Sequence, residues 1–209
     1  MMAPQLSPRE ALTIARIVRV NHAGEYGAIR IYGAQIAVAT RLCPDVVPAL
    51  ADMLAHEKRH CAAFFGAMPT RNSRPCRIMS LWSWGGSLLG LLTALMGRQA
   101  IWICTAAVEA TVHRHLDDQL HFLNGRDAVL RDVILSIRDE ELAHLHHAEE
   151  RIESKGRVGR LLHRLITYAT DVVIWLSTWG DSTRMAQELR HARHETGGGS
   201  SLPVSRLAK

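Results

Sequence analysis

Two Glu-x-x-His segments, Glu57 to His60 and Glu141 to His144, each set a carboxylate and an imidazole one turn apart on a helix face. At that spacing the carboxylate can bridge two metal ions while the imidazole binds one of them. Such a centre needs two further carboxylates, and the sequence supplies both in register. Glu25 precedes Glu57 by 32 residues, and Glu109 precedes Glu141 by the same 32. A shift of 84 residues carries Glu25 onto Glu109, Glu57 onto Glu141, His60 onto His144 and Gln35 onto Gln119. This is the pattern of a helical hairpin duplicated within the chain. Two antiparallel hairpins bring four helices together with six side chains pointing inward. Glu57 and Glu141 are read as bridging ligands, Glu25 and His60 as completing one metal position, and Glu109 and His144 the other. Hard carboxylates with imidazole suit iron or manganese and disfavour thiolate-loving metals. Without metal, four glutamates facing one interior repel, which raises their pKa values.

Other polar residues near these six carry weaker signals. His56-Glu57-Lys58-Arg59-His60 also matches the HExxH signature of zinc proteases, a short pattern that a chain with 12 His produces by chance. If Glu57 faces the metals, His56 lies about 100° round the helix and points away. His115 follows Glu109 closely and is a candidate partner of a ligand or a proton carrier. Asp139 is a candidate acceptor for the outer N–H of a ligand histidine, with Asp117 and Asp118 as competitors.

Positioning these side chains requires long helices, and the breakers fall where such helices must end. Residues 9–42 contain no Pro, and their apolar positions recur at helical spacing. Pro44 and Pro48 open a second helix to about Phe65, and residues 66–76 read as a loop. A helical run extends to about Leu123, with a bend at Gly97; Asn124-Gly125 is a turn, and a helix follows to Ser154. Lys155-Gly156 breaks it, and a last helix spans about 157–193. No segment alternates with period two long enough for a sheet. The expectation is an all-α chain with one domain over 1–195 and a disordered tail over 196–209.

Residues 78–97 form a 20-residue stretch without charge, preceded by Arg71, Arg74 and Arg77 and followed by Arg98. Three placements are open: a buried bundle helix, a helix lying in a lipid interface, or a span. The arginine flank favours an anionic membrane surface. Leu81, Trp82, Leu88, Leu91, Leu92 and Leu95 are candidates for an apolar substrate groove.

Composition narrows the remaining classes. At 47% hydrophobic and 22% charged, the chain is expected to fold, and 5% aromatic content favours helix over a β sandwich. Cys43, Cys61, Cys76 and Cys104 form no CxxC pair, so they read as reduced thiols rather than a zinc ribbon or redox motif. The net charge of +5, with 22 Arg against 3 Lys, admits nucleic acid or membrane. No basic stripe interleaved with aromatics and no nucleic-acid signature accompanies it, so no nucleic-acid partner is expected. MMAPQLSP carries neither a basic nor an apolar signal region, and a peripheral position on the cytoplasmic face of the cell membrane is expected.

Val20-Asn21-His22-Ala23-Gly24-Glu25-Tyr26-Gly27-Ala28 resembles the opening motif of the demethoxyubiquinone hydroxylase family, the di-iron monooxygenases of ubiquinone biosynthesis. Leu54-Ala55-His56-Glu57-Lys58-Arg59-His60, Ala106-Ala107-Val108-Glu109 and Arg138-Asp139-Glu140-Glu141 extend the resemblance over about residues 12–178. All six ligand positions of that family are filled here. The resemblance implies a ferritin-like four-helix bundle with additional membrane-associating helices. It further implies two iron ions per chain, O2 as co-substrate, and hydroxylation of a polyprenylated benzoquinol ring, with electrons from the quinol or a reductase. Attachment to the membrane that holds this substrate is implied too. A quinone-presenting lipid-binding protein and a second copy of the chain are possible partners. Leu116 stands where a tyrosine is expected in the family, while His115 is kept, and Trp179 to Lys209 extends beyond the family's usual end. The competing reading is a ferritin-like ferroxidase that binds iron without an organic substrate.

Overall fold

The structure, a computed structural model, describes residues 6–154 and 156–197. Its described residues form seven α-helices and no strand: α1 (Pro8–Leu42), α2 (Val47–Ala67), α3 (Met79–Leu95), α4 (Arg98–Leu123), α5 (Ala128–Glu149), α6 (Arg157–Thr178) and α7 (Asp181–Gly197). Helix α1 starts at a reciprocal cap in which Ser7 and Glu10 satisfy each other's backbone N–H, with Pro8 in the first turn. Asp127 caps α5 by accepting from the Leu130 N–H, and Arg71, from the short 3₁₀ turn after α2, grips the same carboxylate with two nitrogens.

Helices α1 and α2 form one antiparallel hairpin and α4 and α5 the other, giving a helical bundle compatible with the ferritin-like class. Apolar layers close the bundle on both sides of its polar middle. Ile17, Phe64, Leu123, Leu130 and Ile134 pack at one end, and Leu50, Met53, Ile101 and Trp102 at the other. The core helices therefore hold their inward polar residues away from water.

Each hairpin is followed by an outer helix, α3 against α1 and α6 against α4. The contact of α3 with α1 is made through glycine. A Cβ on Gly86 would sit 2.6 Å from the Gly27 carbonyl oxygen, and one on Gly90 2.3 Å from that of Ile31. Only hydrogen fits there, so the small face of α3 turns inward and Leu88, Leu91, Leu92 and Leu95 turn outward. No helix among the described residues is long and apolar enough to cross a membrane. The 78–97 stretch is a half-exposed outer helix, and Gly86 and Gly90 form its packing face.

Two breaks are sharper than the sequence suggests. Gly97, at φ 93°, ends one helix and starts the next, so the run to Leu123 is two helices rather than one bent helix. The expected last helix likewise divides at Trp179 and Gly180, both left-handed at φ 54° and 80°. Without a proline or an Asn-Gly pair, that break carries no strong turn signal. Beyond it, α7 folds back, burying Met185 in the core and Asp181 against Arg9, Arg16 and Thr13 of α1. The expected tail lies outside the described residues from 198 onward.

Candidate metal centre

The six sequence-assigned residues converge. Glu25 projects from α1, Glu57 and His60 from α2, Glu109 from α4, and Glu141 and His144 from α5, and all six are buried. They form two overlapping sets, Glu25–Glu57–His60–Glu141 and Glu57–Glu109–Glu141–His144, each offering donor atoms within 4.8 Å of one another. Glu57 and Glu141 belong to both, the sharing expected of bridging ligands.

The inward atoms lack hydrogen-bond partners. Glu57 Oε1, both Glu141 oxygens, His60 Nδ1 and His144 Nδ1 are all buried and unpaired. His60 Nδ1 lies 2.9 Å from Glu141 Oε1, and His144 Nδ1 lies 3.3 Å from Glu141 Oε2, without the alignment of a hydrogen bond. Orphaned buried oxygens and nitrogens facing one another are what metal ions would satisfy. Four carboxylates and two imidazoles are a donor set for a pair of hard or borderline divalent ions.

Electrostatics agree. Burial, then repulsion from neighbouring carboxylates, raises Glu25 and Glu109 well above the ordinary carboxylate range, and Glu57 is raised by the same causes. Burial would also raise Glu141, but His144 and His60 outweigh it and hold this carboxyl at about 2. Burial disfavours a charged His144, yet Glu141 and Glu57 push it up to about 9, and His60 is raised in the same way. The metal-free centre therefore stores protons that bound cations would displace.

The surroundings differ in several places from the sequence expectation. Asp139 is exposed and pairs with Arg138, not with a ligand histidine. The carboxylate that reaches a ligand is its neighbour: Glu140 Oε2 lies 3.3 Å from His60 Nε2 and accepts from Arg59 at 3.1 Å. One residue is a 100° turn of the helix, and the crossing of α5 over α2 decides which of the two carboxylates meets the histidine. His56 faces away from the inner cluster as expected, but its Nδ1 lies 2.9 Å from His144 Nε2. Tyr32 of α1 is a further member that the Glu and Glu-x-x-His spacing does not include; its buried hydroxyl donates to Glu109 at 2.5 Å. It stands seven residues after Glu25, two turns along the same face, which is the signal that could have found it. His115 touches none of the six; its Nε2 lies 2.8 Å from Asp171 of α6.

A cavity of about 460 Å³ runs from the centre to the surface between α3 and α6. Glu25, Glu57 and Glu109 line its inner end, and the exposed Leu81 and Leu165 its rim. Its remaining wall is mostly apolar, with His115 and Gln119 among the polar exceptions; Gln119 and Asn21 satisfy each other at 2.7 and 3.0 Å. Leu81 and Trp82 line this cavity. Leu88, Leu91, Leu92 and Leu95 do not, because the glycine contact with α1 rotates them to the exposed face.

The family description "Ubiquinone biosynthesis protein COQ7" matches residues 12–177. The chain belongs to the COQ7 family. It is 37% identical over 168 residues to the NADPH-dependent 3-demethoxyubiquinone 3-hydroxylase of Dictyostelium discoideum, covering 79% of this chain and 76% of that one. It is 39% identical to the rat protein of the same name, over 78% of this chain and 76% of the rat one. Identity to the 3-demethoxyubiquinol 3-hydroxylase of Rhodospirillum rubrum is 35% over 170 residues, covering 81% and 80%. Helix α7 lies beyond the COQ7 match.

Proposed function

We propose that this chain is an O2-dependent monooxygenase that hydroxylates the ring of a polyprenylated demethoxy-benzoquinol in ubiquinone biosynthesis. The observation that carries this reading is the apolar cavity ending on Glu25, Glu57 and Glu109. A ferroxidase with the same ligands needs no route for an apolar molecule, whereas a quinol ring needs one of this size. Glu25, Glu57, His60, Glu109, Glu141 and His144 hold two iron ions, whose redox chemistry supplies activation of O2. The chain's own contribution is positional. Apolar walls exclude water from the reacting ring, and the Asn21–Gln119 pair and the His115–Asp171 pair limit its polar contacts to the wall. The names of the relatives, which are demethoxyubiquinone or demethoxyubiquinol hydroxylases, support the same substrate class.

The prenyl tail leaves between α3 and α6, where both helices carry exposed apolar residues. Trp84, Leu88 and Leu92 on α3 and Leu161, Leu165 and Tyr168 on α6 suit the surface of a lipid layer. Arg74 and Arg77 before α3, and Arg157 and Arg164 on α6, suit anionic headgroups. This reading places the protein peripherally on the cytoplasmic face of the cell membrane, drawing substrate from the bilayer. The test supplies iron-loaded protein with demethoxyubiquinol and ¹⁸O2 and reads the product by mass. The expected product gains one ¹⁸O; O2 consumption by iron with unchanged quinol would contradict the proposal.

A further inference from the structure

The two metal positions have copied ligands but unequal surroundings. In both ligand histidines Nδ1 points into the cluster, so the outer Nε2 carries the proton when Nδ1 binds metal. For His60 that outer nitrogen meets the Glu140 carboxylate, which Arg59 holds in place. For His144 it meets the His56 ring nitrogen at 2.9 Å, and Glu140 reaches this second histidine only through that ring, its Oε2 lying 3.5 Å from His56 Nδ1. Glu140 and His56 occupy equivalent places, each immediately before a bridging glutamate and 84 residues apart. An outer carboxylate makes a ligand imidazole a stronger donor than an outer imidazole does, because it stabilises the charge that the ring takes on.

A second, independent difference acts in the same direction. Tyr32 donates to the terminal carboxylate Glu109, drawing electron density away from one metal position. The residue 84 positions later, at the corresponding distance from Glu109, is Leu116, which has no proton to donate. Glu25 is therefore spared the competition that Glu109 meets.

Resting on the metal-dependent reading above, we propose that the metals load in a fixed order, with Glu140 making the Glu25–His60 position the first to fill. Glu140 and Tyr32 act through ligands and are positioning residues. The Glu109–His144 position, weakened by Tyr32 and lacking an outer carboxylate, fills second.

The experiment titrates the full-length metal-free protein with Mn(II) alone, following binding by electron paramagnetic resonance. The expected result is two steps: the first equivalent gives an isolated-ion spectrum and the second converts it to a coupled pair. His144→Ala should keep the tight step and His60→Ala should lose it. Glu140→Gln, at a side chain 42% exposed and so safe for folding, should weaken the first step by about 10–100-fold and the second, which Glu140 meets only through His56, much less. Tyr32→Phe should tighten the second step only. A coupled spectrum from the first addition, or equal weakening of both steps by Glu140→Gln, would overturn the loading order while leaving the two-metal reading intact. Failure to bind a second ion at all would instead overturn the functional reading.

Discussion

The half of the chain comprising α1 to α3 and the half comprising α4 to α6 repeat one helix order, in an 84-residue register, around a shared centre. The candidate ligands Glu25, Glu57 and His60 correspond to Glu109, Glu141 and His144. The correspondence reaches the outer helices, where exposed Trp84, Leu92 and Leu95 match exposed Tyr168, Leu176 and Trp179. The packing beneath them does not match. Gly86 and Gly90 seat α3 directly on the α1 backbone, whereas Thr170 and Ile174 occupy the equivalent places on α6 and line the cavity. One outer helix is thus a close-packed wall and the other a spaced one. The six candidate ligands keep their register in both halves, while the shell around them differs.

The largest test of this comparison removes ligands by role. Glu141→Gln, which touches both metal sets, should abolish paired binding and reduce hydroxylation to background. Glu25→Gln and Glu109→Gln should each leave one ion bound. Metal content per chain checks this, and equal losses from all three would remove the distinction between bridging and terminal glutamates.

Removing the metal itself should make stability strongly dependent on pH. Glu25 and Glu109 keep protons in the folded state that the unfolded chain releases above about 4.5, so folding weakens as pH rises from there. His144, raised to about 9, contributes stability that is complete below 6.5 and lost as pH rises through 9. Both signs agree. The melting temperature of metal-free protein should fall between pH 5 and 9, and the gain on adding metal should grow over the same range. A pH-independent gain would contradict the account.

The two outer helices should respond differently to added bulk. Gly86→Ala forces a methyl group against the Gly27 carbonyl and should cost about 1–3 kcal/mol in thermal or denaturant unfolding. Thr170→Ile, which adds a methyl group at the matching cavity-lining site, has open space to fill and should stay within about 0.5 kcal/mol. The smallest effect on stability, again within about 0.5 kcal/mol each, is expected from Trp84→Ser and Tyr168→Ser, which are 78% and 70% exposed. Combined, they should nevertheless reduce sedimentation with anionic lipid vesicles. Unchanged retention would separate these faces from membrane binding.

The sequence carried the centre more fully than its setting. Spacing along a helix is a local property, so the duplicated Glu and Glu-x-x-His positions, and the four helices that carry them, could be read directly. Glu140 in place of Asp139 depends on how α5 crosses α2, and the outward turn of Leu88, Leu91, Leu92 and Leu95 on a backbone contact with α1. Neither is written in one segment. The Gly-rich stretch from 78 to 97 was recognisable as unusual, but which of its faces is buried follows only from Gly27 and Ile31 lying opposite it. The division at Trp179–Gly180 escaped because helical patterning continues on both sides.

The central claim is that this duplicated hairpin builds one two-metal centre, and iron analysis with Mössbauer spectroscopy of purified, iron-loaded protein tests it most directly. The account predicts two irons per chain in an antiferromagnetically coupled pair that is lost in Glu141→Gln. A single iron, or two magnetically independent irons, would contradict it.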